Sequence, residues 1–345
     1  MRIGYVPYNQ SLSAPGDVRR FCAYARLREL NFEIANINDV YDIVILSEQA
    51  DITQWVNYTS GKIVYDLIDS YLATSVFSSK NLLRGSYKYF SGSHLFWEFD
   101  YRKSVANLCK VAKAVVCTTE EQKATINRYC NNVHIILDIH SSVASKRKVD
   151  YARRGNAFKI VWEGLGVNIR QLYQIREALL NLSMDNNIEL HIVTDPFIHR
   201  YLGKLGNIST QQIARDIFPN SFVHLWHPST CAQLICDCDL AVIPIDSDPF
   251  NRGKPENKLL LLWKMGMPVV TTNTPAYQRA MCDAGLDLTC SDTATWIKTI
   301  QALIDNPGIR AMSGNKGYEY ADQHFSEEQI ASKWDNLFLT LGYSP

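Results

Sequence analysis

The sequence predicts an α/β protein built from two parallel sheets, each covered by helices. Short apolar runs alternate with amphipathic segments along all 345 residues. Strand, helix and strand in succession are the mark of a parallel sheet covered on both faces. The alternation stops once, over the polar and aperiodic residues 141–156, and then begins again. Such a break reads as a linker, the length suits two domains, and a hydrophobic content of 46% can fill two cores.

In the first half, runs rich in Val, Ile and Tyr predict strands at residues 3–6, 32–37, 43–46, 62–67, 114–118 and 134–137. Apolar residues recurring every three to four positions predict helices at 17–30, 94–111 and 120–129. In the second half, strands are expected at 159–163, 189–193, 222–225, 240–245, 268–272 and 288–290. Helices are expected there at 169–182, 210–217, 255–265, 275–284, 294–305 and 327–339. The predicted domains are residues 1–150 and 151–325, with 326–345 a closing helix that returns to the first domain.

Charge is balanced overall, with 35 basic and 35 acidic residues, which argues against a general nucleic-acid binder. It is uneven along the chain. Residues 1–155 carry 20 Lys/Arg against 15 Asp/Glu, and the remainder carries 15 against 20. A basic first half is suited to an anionic membrane surface or an anionic acceptor. Nine cysteines without paired or zinc-like spacing read as small apolar residues in a reducing compartment. The first residues form a strand pattern and not a leader. No apolar run is long enough to span a bilayer. A cytoplasmic protein, with peripheral contact at the inner face of an anionic membrane, is the expectation.

The most informative stretch is residues 254–273, KPENKLLLLWKMGMPVVTTN. Pro255 suits a first helical turn. Gly266 suits a left-handed helix end, and Pro268 prevents continuation. Lys254, Asn257 and Lys258 then fall at the helix start. Lysines there oppose the helix dipole, so their placement makes sense when an anion sits at that end.

Elsewhere, ligands of open parallel sheets bind at the carboxyl ends of strands. Gly16 follows the first strand and permits close backbone approach, and Asp17 begins the next helix as a cap or an acceptor contact. Gly164 and Gly166 follow the first strand of the second half, but the third glycine of the dinucleotide fingerprint is missing, which speaks against a nicotinamide cofactor. No phosphate-loop or nucleophile-elbow motif occurs. Asp237 with Asp239, Asp246 with Asp248, and Asp66 with Asp69 imitate a metal-binding pair. Strand capping accounts for the first, and no metal site is expected. Asp248 lies in the loop before the lysine-bearing helix, where a donor group would sit. His94 and Glu98, four apart, are expected on one helical face.

Taken together these residues resemble a GT-B glycosyltransferase, closest to family 4-like retaining enzymes, over nearly the whole chain. KIVWEG at 159–164, DLAVIP at 239–244, the helix ending in Gly266-Met267-Pro268-Val269-Val270, and FSEEQIASKWDNLF at 325–338 carry the likeness. The resemblance implies two Rossmann-like domains facing a cleft, with a nucleotide-sugar donor held by the second. It places Gly16 near the donor phosphates. Two features of the family are absent. Its paired glutamates are replaced by Gly253 and Leu261, and of its basic pair only Arg170 has a counterpart.

This reading assigns the diphosphate to Lys258 and Lys254, helped by Asn257, and the sugar hydroxyls to Glu256 and Asp248. Fixed cations and a helix start stabilise the departing diphosphate without a metal or cofactor. Retention needs no protein base. Inversion would need one, with Asp17, Asp69 or His94 as candidates. The expected partners are the nucleotide-sugar and a glycan or lipid-linked acceptor. A sugar-nucleotide epimerase and a catalytically degenerate glycan- or partner-binding module are the alternatives.

Overall fold

The computed structural model describes residues 1–74, 79–199 and 206–344, which fall into two compact units. The first unit comprises Met1–Ile139, Asp248–Pro255 and Ser326–Pro345; the second comprises His140–Ser247 and Glu256–Phe325.

In the first unit, strands β1 (Ile3–Val6), β2 (Glu33–Ile34), β3 (Ile43–Leu46), β4 (Lys62–Asp66), β5 (Ala114–Cys117) and β6 (Val133–Ile135) form one parallel sheet in the order β2-β1-β3-β4-β5-β6. All residues of β3 and β5 are buried, as expected of strands covered on both faces. The strand order reverses between β1 and β3, which makes that point the natural ligand crevice of this sheet.

Two helices of this unit depart from the sequence pattern. The segment expected as one helix over 17–30 is two, Pro15–Arg19 and Phe21–Leu27, broken at Arg20. The break turns the Arg20 side chain into the core, where it forms a two-pronged bond to Asp66 at 2.5 and 2.8 Å and reaches Asp138 at 2.9 Å. The helix expected over 94–111 starts only at Tyr101, capped by Asp100. His94 and Glu98 therefore do not share a helical face. An unforeseen helix, Ser79–Phe90, precedes them.

The closing helix Glu327–Thr340 packs within the first unit and opens on a reciprocal Ser326–Gln329 cap. Trp334 stacks on Tyr24 with ring centres 5.6 Å apart, and Asp335 accepts from Tyr24 Oη at 2.9 Å and from Arg28 at 2.7 Å.

In the second unit, β7 (Phe158–Glu163), β8 (Ile188–Thr194), β11 (Ser221–Leu225), β12 (Leu240–Ile243), β13 (Val269–Thr272) and β14 (Thr289–Cys290) run parallel in the order β11-β8-β7-β12-β13-β14. Between β8 and β11 in sequence, β9 (Phe197–His199) and β10 (Asn207–Ser209) pair antiparallel. The order is that of a dinucleotide-type doubly wound sheet, with its reversal between β7 and β12. The helix expected over 169–182 is a 3₁₀ stretch, Gly166–Ile175, that becomes α-helical at Arg176.

The 18-residue helix Pro307–His324 has almost no amphipathic signature and escapes sequence reading. Its glycines explain it. A Cβ on Gly317 would lie 2.3 Å from the Trp263 ring, and one on Gly314 would lie 2.5 Å from the Gly266 carbonyl. Small residues let this helix sit directly against Asn257–Lys264, so close contact replaces an apolar stripe. The basic stretch 141–156 is irregular and mostly exposed, as a solvated loop should be, but it is anchored at a few points. Tyr151 is buried and donates to the Gly266 carbonyl at 2.8 Å, and Lys148, 8% exposed, donates from Nζ to the Cys236 carbonyl at 3.1 Å.

Candidate functional site

The strongest assembly in the second unit lies at the carboxyl end of β7. Its helix starts at Asn257 and not at Pro255, so Lys258 is its second residue and Lys254 lies outside it. The Lys258 ammonium sits 4.8 Å from the centre of the Trp162 ring. A Cβ on Gly164 would lie 2.8 Å from that ammonium and 2.8 Å from Trp162. Gly164 therefore has no side chain because Lys258 and Trp162 fill the space. Its carbonyl accepts from Thr194 Oγ1 at 2.6 Å, and the N–H of Gly166 donates to Asp195 at 3.1 Å, so the loop after β7 is tied to the end of β8. A cation, a glycine loop and a helix start thus meet at the switch point of the sheet, an arrangement suited to an anion.

The other donor candidates are dispersed. Arg170 is exposed on the 3₁₀ stretch. Glu256 stands at the cap position of the lysine-bearing helix without capping it through its side chain, and its charge reaches the buried Tyr277. Asp248 caps the short helix Pro249–Arg252, accepting from the N–H groups of Phe250 at 2.9 Å and Asn251 at 3.2 Å. Asp248 and Lys254 both belong to the segment grouped with the first unit. Among the acidic pairs, Asp239 holds the Lys159 N–H at 2.8 Å and Asp237 accepts from Gln233 at 2.8 Å, so both serve the local fold.

In the first unit, polar groups collect at the carboxyl ends of β1, β3 and β4. Asp17 is 0% exposed, and it does not cap its helix, whose cap position is Ala14. Its oxygens accept from Tyr5 Oη at 2.6 Å and from the N–H groups of Tyr8 and Asn9 at 2.8 and 3.2 Å. Asp17 is a fastener for the loop after β1, with no face left for an acceptor. Gly16 lies under the Tyr8 ring: a Cβ there would be 2.4 Å from it.

Asp69 is half-buried, and burial raises its carboxyl above the usual range while Lys254 and Arg84 pull it down. Its N–H donates to Glu48, a buried residue that sequence reading passes over. Burial, then the charge of Asp69, pushes Glu48 well above the carboxylate range and favours the neutral acid. Lys88 donates to the Glu48 carbonyl at 3.0 Å, and burial moves its pKa down to about 8. His94, 2% exposed, stacks on Tyr101 with ring centres 6.0 Å apart, and neither ring nitrogen has a partner among the described residues. Burial, then Lys88, pushes it down to about 4, so it stands neutral. The hydroxyls of Tyr8, Tyr65 and Tyr101 are likewise buried without partners among the described residues. One signal for Glu48 was present in the sequence: a carboxylate two residues after a fully apolar strand. Arg84 and Lys88 gave none, because no helix was expected around them.

Neither a protein-family model nor any curated protein matches this chain. Solved structures do. Anabaena HepE in complex with UDP and glucose is 13% identical, with a TM-score of 0.68 over 99% of this chain and 100% of that one. A glycosyltransferase from Rickettsia africae is 11% identical, with a TM-score of 0.63 over 99% of each chain. S. aureus TarM, in complex with fondaparinux, α-GlcNAc-glycerol and UDP, is 15% identical, with a TM-score of 0.57 over 92% of this chain. The match spans 58% of the TarM chain. The fold is that of the GT-B glycosyltransferases.

Proposed function

We propose that this protein is a glycosyltransferase that moves a sugar from a nucleotide-sugar donor to a glycan or lipid-linked acceptor. One observation carries the reading: Lys258, the Gly164 loop and the start of the Asn257–Lys264 helix converge where the strand order of the second sheet reverses. As the sugar leaves, negative charge grows on the nucleoside diphosphate. Lys258 and the N–H groups of the helix start stabilise that charge with no reorganisation. The chain supplies this charge itself, which supports a metal-independent reaction. UDP is the donor nucleotide we favour, since HepE carries UDP and UDP-glucose. The reading includes retention of configuration, with the departing phosphate taking the acceptor proton. That fits a first unit in which Asp17 is fully engaged and His94 is shielded from solvent.

Lys258→Ala should weaken UDP binding by about 1.5–3 kcal/mol, the range for a hydrogen bond to a charged group. Folding should change little, because a lysine at a helix start opposes the dipole. Calorimetric titration with UDP, and with uridine as the phosphate-free control, decides this. Equal UDP affinity in the variant would remove the phosphate site.

We further propose peripheral contact with an anionic membrane. No described helix is long and apolar enough to cross one. Residues 87–99 nevertheless expose Tyr87, Phe90, Phe96, Trp97 and Phe99, with Phe90 at 80%. Aromatic rings favour the interfacial zone of a bilayer. Flotation with phosphatidylglycerol vesicles should recover the protein, and Phe90→Ser with Trp97→Ser should release it. Recovery that ignores these substitutions would sink the contact.

The rival is a module that binds without turnover. Leu261, 1% exposed, stands where family members carry a donor-binding glutamate. Release of UDP from UDP-sugars by the purified protein excludes it.

A further inference from the structure

Arg84 is the most unusual cation of the first unit. Its guanidinium lies 4.5 Å from the centre of the Tyr71 ring, 5.4 Å from that of Phe250 and 5.9 Å from that of Tyr101. The cage is firm, since Tyr71 meets Tyr101 edge-on at 5.4 Å and touches Phe250 at 5.7 Å. The segment bearing Phe250 is fixed in turn by Ser70 Oγ, which donates to the Gly253 carbonyl at 2.9 Å. Yet among the described residues Arg84 makes no hydrogen bond and no ion pair.

A guanidinium directs its donors outward in its own plane, while rings cover its faces. Stacking therefore orients the fork without using it. Such a fork is matched to the paired oxygens of a carboxylate or phosphate. Its surroundings add positive charge. Lys88 also lies over Tyr101, at 5.2 Å, and the charge of Lys254 is felt at Asp69 together with that of Arg84. The acidic groups facing this cluster are Asp69 and Glu48, with Asp51 further off beside Lys88 and His94. Glu48 is held toward its neutral form, which leaves Asp69 as the main counter-charge. His94 and the Tyr101 hydroxyl, buried and unpartnered among the described residues, line the same cluster.

We infer that Arg84, in its cage of Tyr71, Phe250 and Tyr101, binds an anionic oxyacid group of the acceptor, a phosphate or a carboxylate. This rests on the glycosyltransferase reading above, with the donor held by the second unit and the acceptor taken by the first. It narrows the substrate: a phosphorylated or acidic glycan is accepted, and its neutral counterpart is discriminated against.

The test uses the full chain with glucose 1-phosphate, glucuronate and glucose, read by thermal shift and saturation-transfer NMR. At least one of the two anions should bind the wild type more tightly than glucose, and the tighter one names the group. Arg84→Gln keeps a planar group for stacking but removes the charge. It should weaken the anion about tenfold or more, the size expected for a lost charge-assisted bond, and leave glucose unchanged. Lys258→Ala should leave anion binding intact. If Arg84→Gln does not fold, Arg84→Lys, which keeps the charge but loses the fork, is titrated with the same loss expected. Wild-type binding that does not distinguish the anions from glucose overturns the inference. So does anion binding that depends on Lys258 and not on Arg84; that result leaves the donor site standing. A variant that melts earlier but binds the anion normally makes the cage structural and also overturns it.

Discussion

The two sheets treat buried charge differently. In the first unit, Asp17, Arg20, Glu48, Asp66, Lys88 and His94 are all buried, and they gather around the carboxyl ends of β1, β3 and β4. In the second unit, apart from Glu163 at the end of β7, the buried charges are spread out and serve the backbone. Asp239 holds the start of β7, Lys148 caps the carbonyl of Cys236, and Arg310 donates to the carbonyls of Tyr151 and Leu303. Ligands of parallel sheets meet the carboxyl ends of strands. Polar burial there can serve chemistry where groups are not already saturated, as Asp17 and the Arg20–Asp66 pair are, whereas polar burial elsewhere fastens the chain. The first unit invests in side chains, and the second presents backbone, a helix start and one lysine.

The largest effect should come from breaking the densest buried contact. Arg20→Met leaves Asp66, 2% exposed, without its partner. Removing one member of such a pair costs about 3–5 kcal/mol. Urea denaturation should register this as a lower midpoint, and an unchanged midpoint would mean that the pair is dispensable.

A smaller effect concerns pH. The folded His94 titrates near 4, against 6.5 when unburied. Between those values the unfolded chain binds a proton that the folded chain refuses, so stability falls as pH drops through that window. The loss should reach at most about 3 kcal/mol at the acid end, taking roughly 1.4 kcal/mol per pKa unit. His94→Gln should flatten the melting temperature between pH 6.5 and 4. A wild-type curve already flat there would contradict the burial argument.

The smallest effect is expected in the second unit. Asp239→Asn keeps a carbonyl oxygen for the Lys159 N–H, so the cost should be about 1 kcal/mol or less. If it matches Arg20→Met, the contrast between the units fails.

The sequence made the parallel architecture readable because most strands are short Val/Ile runs with abrupt ends. Residues 210–217 are helical as expected, and 43–46 form the expected strand. The Gly164–Lys258 contact was half visible: both residues were singled out, but nothing in their spacing shows that one fills the space beside the other. The polar cluster of the first unit was mostly hidden. Glu48, Arg84 and Lys88 are ordinary charged residues in one dimension and become a group only when β3, the Ser79–Phe90 helix and Tyr101 are brought together. The Pro307–His324 helix stayed hidden for the opposite reason, because its packing relies on absent side chains.

The closing helix also sets the order in which the molecule can be built. Trp334 and Phe338 complete the aromatic layer over Phe21 and Tyr24, so the first unit finishes its core with residues from the other end of the chain. On the ribosome those residues arrive after the sequences of both sheets. The second unit, although synthesised later, has most of its core sequence in hand before the first can close. Until Trp334 and Phe338 emerge, the earlier unit waits with Phe21 and Tyr24 uncovered, a species open to chaperones and to aggregation. A fragment ending at residue 139 would remain in that state indefinitely, and for this protein the unit made first is the one completed last.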